Sequence, residues 1–325
     1  MPLERARRKA GPLAPRPLGN RATLESEGDQ KTLSLNLSPS IVSADSRRSG
    51  HARQGRQAGA SLEILRVPQW NGLDWLPHGF STRKGGVSRI AGDSAGELNL
   101  GYGAADLPEA VSTNRELFLG SIVDRTESPQ LRSGLVTLKQ MHSSLTRRVD
   151  RTDVADRASL WGDGLISDDP GVLLGIQTAD CLPILVADRK RRAVGAFHAG
   201  WRGTLKRIVE KGVCSMRDEF GSEPEDLTAA IGAGIGSCCF VVGDEVRQLF
   251  RGQFHYAEEL FASALDLRLD LVEANRRQLL AAGLPPEAVF ALKECTSCRT
   301  DRFFSYRAEK GKTGRMMAVI GIAPG

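Results

Sequence analysis

Residues 172–188 read VLLGIQTADCLPILVAD, and residues 193–203 read AVGAFHAGWRG. The apolar runs 172–176, 184–187 and 194–197 are too short for globular helices. They are bounded by Gly, Pro and Asp, as buried strands are. Chemistry falls where these runs end: Cys181 follows the first of them, and His198 closes the third.

Working outward, the runs 135–138, 229–231 and 316–322 have the same character and predict further strands, the last tying the C-terminus into the fold. Helical patterns are expected at 109–119, 204–219, 244–250, 269–282 and 286–289. The fourth has a stop signal in Gly283, followed by Pro285 and Pro286. No internal repeat and no second core with its own linker is evident, so one domain over 61–325 is expected. Residues 1–60 contain no Phe, Trp or Tyr and are rich in Arg, Ser, Gly, Ala and Pro. Such a segment buries too little apolar area to offset its ordering entropy, so it is read as a disordered basic extension.

Hydrophobic residues make up 41% of the 325 and charged residues 26%, an ordinary globular balance. No apolar run reaches the ~18–20 residues of a membrane helix, and the Arg-rich start lacks the apolar core of a secretory signal. Six cysteines without an export signal are expected as reduced thiols, hence a cytoplasmic setting. Of the 44 Lys and Arg, 11 lie in residues 1–60, with 5 of the 39 Asp and Glu. The remaining 265 residues therefore carry 33 basic against 34 acidic groups. The body is neutral, which argues against a nucleic-acid partner. The expected assembly is a monomer or homodimer.

His142 stands just after the run 135–138, in LVTLKQMHSS. Strand ends converge on one rim of a sheet, where open sheets host ligands. Two imidazoles and a thiolate suit zinc or another borderline metal, and three protein ligands with an open fourth position is the catalytic pattern. Taken singly, each of the three reads equally as a packed histidine or a buried small thiol. Their separations of 39 and 17 residues match no compact zinc motif.

The blocks HGFSTRKGGVS, LNLGYG, KQMHS, GVLLGIQTADCLPIL, VGAFHAGWRGTL, IGAGIGSCCFVVGDEV and FFSYR occur in this order between residues 78 and 307. Together they resemble the laccase-domain (YfiH-type) family, long labelled polyphenol oxidase and associated with purine nucleoside phosphorylase activity. The resemblance covers essentially residues 62–325. It implies an α+β fold, a single domain with mixed β-sheets sandwiched between helices in α/β/β/α-like layers. It also implies that His142, Cys181 and His198 bind Zn2+ and form the catalytic centre, with Cu2+ as the alternative metal. The implied reaction is phosphorolysis of adenosine, inosine and S-methyl-5'-thioadenosine, with adenosine deaminase activity, so purine nucleosides and phosphate are the partners. Met141 stands where the family usually has Val, Ala233 and Ser237 where it has Pro, and Phe240 where it has Tyr. These departures touch substrate details and leave the triad intact.

No Walker A motif is present, so phosphate has to be held by side chains and backbone amides. Arg83 and Arg202 are the candidates, because a guanidinium fork matches phosphate oxygens. Gln140 and Asp180 are further substrate-binding candidates. Asp163 and Asp180 both qualify to orient a histidine ligand or to act as an acid or base. Two other enzyme classes compete: a copper-dependent polyphenol oxidase, and a Cys181-dependent hydrolase editing cell-wall precursor conjugates. Multicopper oxidases need about ten histidine ligands, far more than this body holds. The run 232–236, GAGIG, has its third glycine one residue early for a dinucleotide loop and predicts a tight turn. Cys295 and Cys298 form a lone C-x-x-C without a second pair or a nearby His, a weak signal for a redox or structural-zinc role that leaves their part open. The vicinal Cys238 and Cys239 are expected to alternate between a buried and a surface position.

Overall fold

The computed structural model describes residues 61–90, 96–103, 106–123, 134–154, 160–262 and 267–324. The chain divides into residues 1–38 and 39–325, and every described residue belongs to the second unit. The expectation for residues 1–60 lies outside the described residues.

In chain order the strands are β1 (Ile64–Leu65), β2 (His78–Ser81), β3 (Lys84–Ser88), β4 (Leu135–Thr137), β5 (Thr146–Arg148), β6 (Gly164–Ser167), β7 (Leu173–Thr178), β8 (Leu182–Asp188), β9 (Ala193–Ala199), β10 (Leu227–Ile231), β11 (Phe261–Ala262), β12 (Arg268–Leu269), β13 (Val289–Ala291) and β14 (Met316–Gly321). The described helices are α1 (Pro108–Ile122), α2 (Trp201–Leu205), α3 (Ile208–Phe220), α4 (Asp244–Arg251) and α5 (Leu271–Ala281). One sheet runs β1-β2-β14-β7-β4, antiparallel except for the β7/β4 pair. The other runs β13-β10-β8-β9-β6-β5, antiparallel inside and parallel at both edges.

The strands read as near-continuous apolar runs because both faces of each central strand are covered. Along β14, Met316, Ala318 and Ile320 point into the core between the sheets, against Leu185 and Ala187 of β8 and Val194 and Ala196 of β9. Met317 and Val319 point the other way, onto Phe118 and Ile122 of α1. On the far side, Ile184, Val186 and Phe197 pack against Ile208, Val213 and Met216 of α3 and Leu279 of α5. Burying each such Val, Leu or Ile stabilises by roughly 1.5–3 kcal/mol. The layers are therefore helix, sheet, sheet, helix, as the family resemblance implies.

Two expectations about helices are corrected. The pattern at 204–219 is two helices, α2 and α3, because Arg207 adopts a left-handed φ of 61° between them. The pattern at 286–289 gives only a one-turn 3-10 helix, Pro286–Ala288, and Val289 already pairs with β10. The fourth pattern holds, with Asp270 capping Glu273 N–H at 2.9 Å and Gly283 beyond the last turn at φ 99°. Among the described residues no helix is long and apolar enough to cross a membrane.

Candidate metal centre

β7 belongs to the first sheet and β8 to the second, so the chain crosses between sheets in the three residues 179–181. So tight a crossing puts Asp180 at a left-handed φ of 86° and leaves the Cys181 thiol on the rim. His198 is the penultimate residue of β9, paired with Pro183 of β8, and its side chain is buried at 4% exposure. His142 follows β4 in an irregular segment, also left-handed at φ 58°. These three elements bring one nitrogen of each histidine and Cys181 Sγ within 4.8 Å of one another. Cys181 Sγ lies 3.9 Å from His142 Nε2, and the two imidazoles meet edge to face at 4.9 Å.

Asp163, directly before β6, organises this triad. Its Oδ1 lies 2.8 Å from His198 Nδ1 and accepts the His142 amide at 3.0 Å. Its Oδ2 accepts the amide and the hydroxyl of Ser143, both at 2.6 Å. One buried carboxylate thus fixes the ring of one histidine and the backbone of the other. With Nδ1 engaged, His198 Nε2 is the nitrogen left for a metal, an arrangement typical of metal-ligating histidines. Lys206 Nζ donates to the His142 carbonyl at 3.1 Å and ties the same loop to the residue after α2.

The electrostatics favour a thiolate. Burial alone would push the Cys181 thiol up, but the charge of His198 and hydrogen bonds from both imidazoles bring it down to about 6. Burial would lower His198, yet the Cys181 charge and the Asp163 hydrogen bond hold it up at about 9. Burial would raise the Asp163 carboxyl, but His198 and Ser143 hold it well below the usual carboxylate range. Without a metal, the centre is a thiolate–imidazolium pair backed by a carboxylate.

The donor set fits a borderline metal. A Cβ built on Gly200 would lie 2.7 Å from Cys181 Sγ and 3.2 Å from His142 Cδ2, so this glycine keeps the space beside the ligands clear. Its backbone, φ −75° and ψ 171°, is one any residue adopts, and the requirement is therefore for room.

The other residues singled out in the sequence divide. Arg202 lies exposed in α2, two residues after Gly200, with its guanidinium 4.3 Å above the Trp201 ring. Arg83 is buried: it donates to the carbonyls of Thr300 and Phe303 and pairs with Glu97 and Glu309, while its guanidinium covers Phe304. These partners already engage the guanidinium expected from the sequence to meet phosphate. Gln140 pairs both its amide groups with the backbone of Gln177, extending the β4/β7 edge. Asp180 turns into the protein and accepts from Thr296 Oγ1, Ser305 Oγ and the Arg307 amide at 2.6–2.8 Å. Of the two aspartates, Asp163 is the one bonded to a triad histidine. Ser143, Gly200 and Lys206 escaped the sequence reading, because their roles depend on loops that carry no periodic signal.

The lone reading of Cys295-x-x-Cys298 is also corrected. The structure places both beside Cys238 and Cys239, with the four sulfurs within 4.8 Å of one another. Cys238 is exposed and Cys239 half-buried. All six cysteines are free thiols.

Residues 77–323 match the family model described as multi-copper polyphenol oxidoreductase laccase, and the chain belongs to this family. It is 38% identical to a purine nucleoside phosphorylase of Deinococcus radiodurans, over 80% of this chain and 93% of that protein. It is 35% identical to the purine nucleoside phosphorylase YfiH of Escherichia coli, over 80% of this chain and all of that protein. The crystal structure of YlmD from Geobacillus stearothermophilus superposes with a TM-score of 0.71 at 33% identity, covering 83% of this chain and 98% of that one.

Proposed function

We propose that residues 61–325 form a zinc-dependent purine nucleoside phosphorylase, cleaving adenosine, inosine and S-methyl-5'-thioadenosine with phosphate and also deaminating adenosine. The observation that carries this reading is the convergence of His142, Cys181 and His198 on one rim, oriented by Asp163, in a chain whose relatives are named purine nucleoside phosphorylases. His142, Cys181 and His198 would hold the metal. Bound there, zinc supplies a Lewis acid with an open coordination position.

In phosphorolysis a phosphate oxygen forms a bond to the anomeric carbon, the glycosidic C–N bond breaks, and its electron pair leaves on the purine, which takes up a proton. Arg202, exposed two residues after Gly200, is the residue proposed to bind phosphate, because its fork of donors matches the anion's oxygens. Lys206, bonded to the His142 carbonyl, brings a positive charge next to the segment that carries His142. Asp163 keeps His198 in one tautomer throughout and takes no part in proton transfer to substrate.

The ligand inventory argues against a multicopper oxidase. Among the described residues, the metal-capable groups contain only two histidines, both in the triad. His78 is committed elsewhere, with Nδ1 on the Leu76 carbonyl and Nε2 accepting the Val67 amide.

The test is a purine nucleoside panel with and without phosphate, on protein of known metal content. Free base together with ribose 1-phosphate, formed in proportion to phosphate, is the expected result, and adenosine alone should also give inosine. Base release indifferent to phosphate would replace phosphorolysis by hydrolysis. Activity that survives complete metal removal would move the reading to Cys181 acting as a nucleophile, for which the 3.9 Å contact with His142 is the specific support.

A further inference from the structure

Four of the five cysteines outside the triad lie in two turns about 57 residues apart in sequence that the fold brings together. Cys238 and Cys239 occupy the turn after β10, and Cys295 and Cys298 the turn after β13. The two turns are joined at Gly234 and Cys295, and the Thr296 amide donates to the Gly234 carbonyl at 3.0 Å. Cys298 Sγ lies 3.4 Å from Cys238 Sγ and 3.3 Å from Cys239 Sγ, and all four sulfurs fall within 4.8 Å.

We infer that these four cysteines bind a single zinc ion, a second and structural metal site distinct from the His142–Cys181–His198 centre. A tetrahedral ion with Zn–S bonds of about 2.3 Å holds its sulfurs about 3.8 Å apart, a value between the 3.3 Å contact and the 4.8 Å outer limit of this cluster. A multi-iron cluster would need its ligating sulfurs further apart. Burial as small apolar groups does not account for the arrangement, since Cys238 and Cys298 are exposed and the other two half-buried. The backbone is arranged for a sulfur anion: the Gly236 amide donates to Cys295 Sγ at 3.2 Å, and the Cys298 amide faces the same sulfur. Such N–H···S bonds stabilise the charged form that a metal requires. Four sulfur ligands with no open position is the pattern of a structural site. Binding displaces four thiol protons to solvent and leaves a net charge of −2. Arg268, on the Cys238 carbonyl at 3.1 Å, and Arg307, on the Val241 carbonyl at 3.1 Å, stand at its edge.

The site has a defined place in the fold. Thr296, inside the second turn, donates its hydroxyl to Asp180 at 2.7 Å, and the Ile235 amide in the first donates to the Asp180 carbonyl at 2.7 Å. A metal here clamps both segments that hold Asp180, the residue before Cys181. It braces the triad from behind without touching it.

The test is zinc content of the full-length chain purified under reducing conditions. The wild type should hold about two zinc equivalents per chain, falling to about one in Cys181→Ala and to about one in Cys295→Ser/Cys298→Ser. Cobalt loaded into Cys181→Ala should show the intense charge-transfer bands of an all-thiolate tetrahedral centre, and a mercurial thiol reagent should release the remaining zinc. This second measurement stands even where the double serine variant does not fold. A Cys181→Ala chain free of zinc, or a disulfide among the four cysteines in the reduced protein, overturns the inference. Failure of the triad assignment gives a different result: the wild type and Cys181→Ala would then hold equal zinc and identical cobalt spectra, with the four-cysteine site intact.

Discussion

Replacing Asp163 by Asn keeps the side chain's volume and removes its charge, and the surrounding donors dictate the consequence. Oδ1 serves His198 Nδ1 and the His142 amide, while Oδ2 serves the Ser143 amide and hydroxyl. An amide keeps one oxygen, so its NH2 must face one of these two sets of donors. Facing His198, it forces Nδ1 to become an acceptor and moves the proton to Nε2, the nitrogen a metal needs. Facing Ser143, it opposes an amide 2.6 Å away that cannot reverse its role. Either way a charge-assisted hydrogen bond is lost, at about 1.5–3 kcal/mol. Loss of a partner that orients a ligand weakens metal binding by about 10–100-fold, or about 1.4–2.8 kcal/mol. Asp163→Asn should therefore bind zinc about 10–100-fold more weakly in chelator competition. The metal-stripped variant should also unfold at lower urea, by about 1.5–3 kcal/mol. An Asn variant that matched the wild type in both measurements would refute the role given to this carboxylate.

Three further outcomes are expected from the same structure. Gly200→Ala should retain its circular dichroism spectrum and lose more than about tenfold in zinc affinity, because the new methyl lies 2.7 Å from Cys181 Sγ; undiminished affinity would show that the space is not needed. Arg83→Met should destabilise the fold by about 3–5 kcal/mol in urea unfolding, since it takes a buried guanidinium away from both Glu97 and Glu309, while leaving the phosphate concentration for half-maximal rate unchanged. His78 is held down to about 4, first by burial and then by the Arg66 charge, so it is neutral in the folded chain and nearer 6.5 in the unfolded one. Its contribution is complete above about pH 6.5 and is lost as pH falls through 4, up to about 3 kcal/mol. Urea unfolding across that window should be flatter in His78→Gln, and an unchanged slope would count against it.

Much of the fold was legible because its strands are covered on both faces. The runs 172–176, 184–187, 194–197 and 316–322 each became a strand, since a short continuous apolar run has few other stable uses. β2 and β6 were not read. HGFS and GLIS mix glycine, serine and histidine, and they are strands because β14 and β9 supply their hydrogen-bond partners. The helix expected at 286–289 is cut to one 3-10 turn for the converse reason: Pro286 starts it well, but Val289 gains more from pairing with β10. The triad residues were legible as strand-end His and Cys, whereas the four-cysteine cluster was not. Its halves lie on turns far apart in sequence, and the tertiary pairing at Gly234 and Cys295 brings them together.

The two residues with left-handed backbones near the triad, His142 at φ 58° and Asp180 at φ 86°, show why the site could not be derived from local preferences. Non-glycine residues in this region cost of order 1–3 kcal/mol and persist only where surroundings over-determine them. Here the surroundings are specific. Three successive amides, of Met141, His142 and Ser143, converge on the Asp163 carboxylate and hold the turn at His142. Thr296, Ser305 and Arg307 converge on the Asp180 carboxylate and hold the turn before Cys181. Each left-handed segment beside the triad is thus held by one buried aspartate. The same logic explains why the triad spans two sheets. A ligand set drawn from a single strand would inherit that strand's alternation, whereas one drawn from β9 and from segments beyond β4 and β7 brings three donors to one point. The cost of the unusual backbone is carried by polar residues that a search for catalytic groups passes over.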